Sequence, residues 1–152
     1  MDSRLAHRIL RRSVDLALLA GAIASAGCGR AMRQVATATL GTETAALSAP
    51  GGQLVEGSND VAVAVTAGPA RTPLAADSVR FALAMPMPGG APMREEVRLS
   101  RKTPGRYAGR IATPMAGDWW AEVTFDGPAG TETIRMKVTV QAAGERRRAA
   151  GG

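Results

Sequence analysis

The sequence predicts an all-β protein: a small antiparallel β-sandwich behind an N-terminal targeting segment. Three observations point there. Apolar residues alternate with polar or small ones in run after run, the period of a half-buried strand. Glycine- and proline-bearing turn signals separate these runs at short spacing. Beyond the first 28 residues, no helical period competes over any useful window.

The runs come in order. Residues 29–49 are rich in Ala and Thr and read as a tether that ends in an edge strand, with one or two strands expected near residues 34–56 besides the six runs that follow. Val61, Val63 and Val65 alternate with alanines, and Val79, Phe81 and Leu83 with Ser78, Arg80 and Ala82. Val97 and Leu99 follow, then Tyr107, Gly109 and Ile111. Trp119, Ala121, Val123 and Phe125 share one face of the next run; Ile134, Met136, Val138 and Val140 share one face of the last. Pro50-Gly51-Gly52, Gly68-Pro69, residues 86–92, Pro104-Gly105, residues 115–117 and Asp126-Gly127-Pro128 mark the turns. One apolar face per strand suits two packed sheets with wet outer faces.

The first 28 residues are set apart from the fold. Arg4, Arg8, Arg11 and Arg12 form a basic start, residues 16–24 an apolar stretch, and Ser25-Ala26-Gly27 precede Cys28. This order resembles a bacterial lipoprotein signal, in which small residues admit the peptidase and the thiol of Cys28 takes the lipid. An ordinary cleaved signal or an uncleaved anchor would use the same apolar stretch. The resulting division is a signal at 1–27, a tether at 28–44, a domain at 45–141 and a basic tail at 142–152.

Composition removes whole classes of function. The chain of 152 residues has one Cys and one His, both within the first 28 positions. A body without thiol or imidazole cannot run Cys–His or Ser–His–Asp catalysis, nor hold a zinc site. The formal charge of +6 is largely peripheral. From Cys28 onward there are 15 basic and 11 acidic residues, and Arg146, Arg147 and Arg148 lie in the tail. Charge in a signal and a tail is not a binding face, so no nucleic-acid partner is expected. Glu95 and Glu96 are neighbours on opposite strand faces, and Asp118 and Glu122 stand two strand repeats apart, about 13 Å. No carboxylate pair emerges, and the expectation is a protein that is not an enzyme.

Residues 105–125, GRYAGRIATPMAGDWWAEVTF, resemble the YtkA-like family, to which FixH-type proteins are related. Glu56-Gly57-Ser58-Asn59 resembles its Gly-x-Asn strand start, and Met85-Pro86-Met87-Pro88 its Met-Pro loop. The resemblance covers roughly residues 45–141. It implies an immunoglobulin-like sandwich of about seven strands on the outer side of a bacterial inner membrane. Some such proteins occur beside copper-handling or oxidase-assembly proteins.

Strand parity singles out one end of the domain. If each short connection reverses the chain, the loop 86–94 and the turn 114–117 share a pole, and Met85, Met87, Met93 and Met115 gather there. Thioether sulfur is soft and neutral and suits Cu(I). The alternative is structural: Met85 caps the core, Met115 plugs its end, and Met87 and Met93 form a contact surface. Without histidine the second reading is favoured, and no cofactor is assigned beyond Cu(I) as an alternative.

On the Trp-bearing strand, Trp119 faces the core. Trp120 faces out between Asp118 and Glu122, as a partner contact or as a surface covered by the tether. Tyr107 is expected to bond backbone near a loop, and Gly117 to serve the turn. The basic tail, by parity at the same pole, is a solvated end or touches anionic lipid. The functional expectation is a membrane-anchored periplasmic binding or accessory domain held by a lipid on Cys28, possible partners being envelope proteins of a metal-efflux or oxidase-assembly system. A Cu(I) carrier and a structural envelope lipoprotein are the alternatives.

Overall fold

The computed structural model describes residues 30–144. Cys28, the signal segment and Arg146, Arg147 and Arg148 of the tail lie outside the described residues. The described chain is all-β, with ten strands and no helix. They are β1 (Met32–Leu40), β2 (Glu43–Pro50), β3 (Leu54–Val55), β4 (Gly57–Ala67), β5 (Thr72–Pro73), β6 (Val79–Met85), β7 (Met93–Thr103), β8 (Arg106–Thr113), β9 (Gly117–Gly127) and β10 (Gly130–Gln141). No helix among these residues is long and apolar enough to cross a membrane.

Hydrogen bonding runs in one path, β1-β2-β4-β8-β7-β6-β9-β10-β3, with β5 paired to β4. Every pairing is antiparallel except β10 with β3, where Val140 and Gln141 align with Leu54 and Val55. β7 joins two ladders. Its first part, Met93 to Leu99, pairs with β6, and its last part, Ser100 to Thr103, with β8 across an irregularity at Arg101 and Thr103. β1 lies alongside β10, so the ends of the path approach each other and the sheet is nearly a barrel.

Period-two alternation places the core. Phe81, Leu83, Trp119, Val123, Phe125, Val61, Val63 and Ile134 are all buried within it. Each large apolar side chain so buried contributes roughly 1.5–3 kcal/mol before the entropy of ordering is subtracted. The Tyr107 hydroxyl, also buried, accepts from the Ala76 amide at 2.7 Å and reaches the Ala76 carbonyl at 3.0 Å, which anchors the segment after β5.

The expected tether at 28–44 is corrected: residues 32–40 are strand β1, and β2 begins at Glu43. Leu40 and Glu43 pair around the turn that joins them. Small Ala and Thr side chains, which hid the alternation, suit an edge strand whose Val35, Ala36 and Ala38 pack on the core. β5 was also illegible, because two residues are too few to show a period.

Candidate functional site: the methionine pole

Register brings the two methionine-bearing connections to one end. β6 ends at Met85 and β7 returns from Met93, and these residues are cross-strand partners. β8 ends at Thr113 beside Gly57, and β9 starts at Gly117. The loop 86–92, the turn 114–116 and the start of β4 therefore share a pole. The four methionines there differ in setting. Met85 and Met93 are half-buried against the core. Met87 and Met115 are exposed. The Met115 carbonyl accepts the Trp119 indole N–H at 3.2 Å, which ties the turn to a fully buried ring.

Gly117 is required at this turn. Its φ is +136°, which side chains rarely adopt, and a Cβ there would meet the Met85 methyl at 2.9 Å. Behind the turn, Asn59 and Thr113 form a buried polar latch. The Asn59 side-chain amide donates to the Val55 carbonyl and to Thr113 Oγ1, each at 2.7 Å, and accepts from the Val55 amide at 2.9 Å. The Thr113 hydroxyl donates to the Val55 carbonyl. This latch holds the kink between β3 and β4.

Trp120 lies on the outer face of β9, half-buried. Ala84 on β6 and Lys137 on β10 are its cross-strand neighbours. The Arg135 guanidinium lies 5.0 Å and the Lys137 ammonium 5.4 Å from the indole centroid, within cation–π range. The indole is thus partly covered by β10 cations, whereas β1 lies across a groove from it. Glu122, two residues on, organises the cations: Arg135 Nε is 3.0 Å from it, Arg94 Nη1 also bonds it, and Arg94 Nη2 reaches Glu96 at 3.1 Å. Hydrogen bonds to Glu122 and then Glu96 hold the Arg94 pKa above its ordinary value. Asp118, exposed, accepts from the Thr139 hydroxyl at 2.9 Å.

Two grooves meet at Trp120 and Pro86. One, of about 670 Å³, runs between Val35, Gln53, Asp118 and Thr139. The other, of about 370 Å³, is bounded by Met87, Pro92, Arg94 and Arg135. The pole thus joins Met85 to Met93 and to Gly117, and sets Trp120 and Asp118 on the wall of the first groove. Sequence reasoning missed Arg94, Arg135 and Lys137 as the setting of Trp120, and Asn59 with Thr113 as the latch. Counting outward from the turn between Gly127 and Gly130 puts Lys137 opposite Trp120, so a signal for that pair was present. Among the described residues, no cluster of three or more His, Cys, Asp or Glu is placed to hold a metal.

No curated protein and no solved structure gives a significant match to this chain. The family described as YtkA-like matches residues 38–124, from late in β1 into the last third of β9. That span is more than half of the 152 residues and includes the latch, the methionine loops and Trp120. The chain belongs to the YtkA-like family.

Proposed function

We propose that the chain is an exported, lipid-anchored binding domain, facing the periplasm, without catalysis of its own and working through the methionine pole. The observation that carries this reading is the meeting of two grooves at Trp120, a half-buried indole set under Arg135 and Lys137. Service to a metal-efflux or oxidase-assembly system is what the resemblance to FixH-type proteins suggests for this surface. The test is site-specific photo-crosslinking in cells, with the reactive residue at Met87, Trp120 or, at the opposite pole, Pro69. Discrete adducts from the first two positions and none from Pro69 are expected. Absence of adducts from every position would leave the structural lipoprotein.

A Cu(I) carrier is the second reading. The register of Met85 with Met93 and the approach of the Met85 methyl to Gly117 favour it. The donor set fits the soft ion: thioethers on three connected segments, two of them half-buried and two open to solvent. Anaerobic Cu(I) titration of the purified protein decides it, and affinity no greater than that of a methionine-free variant would end it.

A further inference from the structure

Four large apolar side chains are exposed among the described residues, and three of them sit toward the methionine pole: Met32 (45%), Met87 (38%) and Met115 (39%). Met32 pairs with Pro50 at the pole-side end of β2, whereas the fourth, Leu40, is at the far end of β1. Adjoining grooves at this pole share lining residues from Arg30 to Met87. Gln53 lines both the Trp120 groove and a shallow one beside Arg30 and Arg33, and Pro86 and Trp120 carry the surface on toward Met87 and Arg94.

Charge in these grooves is mainly positive, with the exposed Glu56 beside Gln141 an acidic exception at the pole. The linings hold five basic side chains, Arg30, Arg33, Arg94, Arg135 and Lys137, against two carboxylates. Of those two, Glu122 is engaged by Arg94 and Arg135, and Asp118 by Thr139. Lys137 makes no ion pair among the described residues.

Both ends of the described chain leave at this pole. The Ala31 carbonyl accepts from the Gly51 amide at 2.9 Å, and β10 ends at Gln141 beside Val55. A lipid on Cys28 would be four positions from Met32, so even a fully extended connection would hold Met32 within about 15 Å of the bilayer. The opposite pole is farther: the 11 residues of β9 span about 36 Å. With so short a connection, the methionine pole would be the end nearer the membrane.

We infer that this pole is a docking face for an anionic bilayer, with Met32, Met87 and Met115 entering the interface while Arg30, Arg33 and Lys137 face the headgroups. The inference rests on the pole being the working surface, and it names the bilayer as what that surface meets. Flexible exposed thioethers among cations suit the boundary between headgroup and acyl chain, and anionic lipid attracts such cations within a Debye length.

The test is hydrogen exchange on the full acylated chain, reconstituted in phosphatidylcholine vesicles with and without phosphatidylglycerol. Phosphatidylglycerol should slow exchange in 51–53, 86–92 and 114–116 by roughly tenfold, and leave the opposite turns, 68–71 and 127–130, unchanged. Met87→Glu with Met115→Glu should abolish that protection while the core strands exchange as in the wild type, which shows that the variant is folded. Equal exchange at the two poles on anionic vesicles would overturn the inference. Protection at the pole that appears only when envelope proteins are added would also overturn it, while preserving the pole as a working surface. Protection at neither pole under any addition, with no crosslink from Met87 or Trp120, would remove both.

Discussion

The side-chain amide of Asn59 donates to the hydroxyl of Thr113 at 2.7 Å, across 54 positions of sequence. Asn59 is the third residue of β4 and Thr113 closes β8, and both are buried. The bond therefore sets the height at which two neighbouring strands reach the pole. Asn59→Ala would leave the Val55 amide and carbonyl without this partner. A buried polar group stripped of its bond costs roughly 1–3 kcal/mol, and each kcal/mol moves the melting temperature of a domain this size by about 2–8 °C. A scan of Asn59→Ala should show a fall of that order, and an unchanged midpoint would mean that the latch carries no stability.

Gly117→Ala should destabilise by about 1–3 kcal/mol through backbone strain, read as a lower urea midpoint. Its Cβ would also crowd the Met85 methyl, but that group is the end of a flexible side chain and can move. Adding Met85→Ala should therefore recover little. Full recovery in the double variant would assign the cost to packing instead.

Glu122→Gln removes the carboxylate that Arg94 and Arg135 share. Both guanidiniums are partly solvated, and ion pairs of that kind contribute at most about 1 kcal/mol each. Stability should fall little, while the emission of Trp120 shifts as Arg135 loses its anchor over the ring. A large loss of stability with unchanged emission would contradict this account. Arg94 is charged throughout the physiological range as any arginine is, and its hydrogen bonds to Glu122 and Glu96 raise its pKa further. Its contribution is fully present below the ordinary arginine pKa and is lost only as strongly alkaline pH rises through the folded value.

Met87→Leu with Met93→Leu keeps apolar volume and removes two thioethers. Swaps that conserve volume usually cost under about 1.5 kcal/mol. If the pole carries Cu(I), affinity in an anaerobic titration should drop sharply while the melting temperature barely moves. Equal affinity in variant and wild type would exclude Met87 and Met93 as donors.

Metabolic labelling with a palmitate analogue should tag the wild-type protein in its native host, and Cys28→Ser should abolish the tag. An untagged, freely released wild type would refute the lipid anchor and, with it, the short connection that orients the pole.

Legibility followed the length of each run and the size of its side chains. β6, β9 and β10 alternate large apolar residues with polar ones over many positions, so their inward faces could be read directly. Reversal counting also sufficed to put Met85 beside Met93. The strand expected near residues 34–56 could not be bounded, and most of β1 was assigned to the tether, because Ala and Thr give no contrast between faces; β5 went unread because two residues have no period. The Asn59–Thr113 bond joins distant positions through a topology that local pattern does not contain. The covering of Trp120 was half legible, since it needs the register of one hairpin and the chemistry of Lys137 and Arg135.

β7 pairs with β6 along its first part and with β8 along its last. A single rod thus belongs to both walls, and neither wall can peel away without breaking it. Unfolding should therefore be one concerted event, with amides of Phe81 and Val63 exchanging at the same limiting rate although they lie in different ladders. A single proline in the middle of β7, at Leu99, would act as a cut in that rod and turn one transition into two.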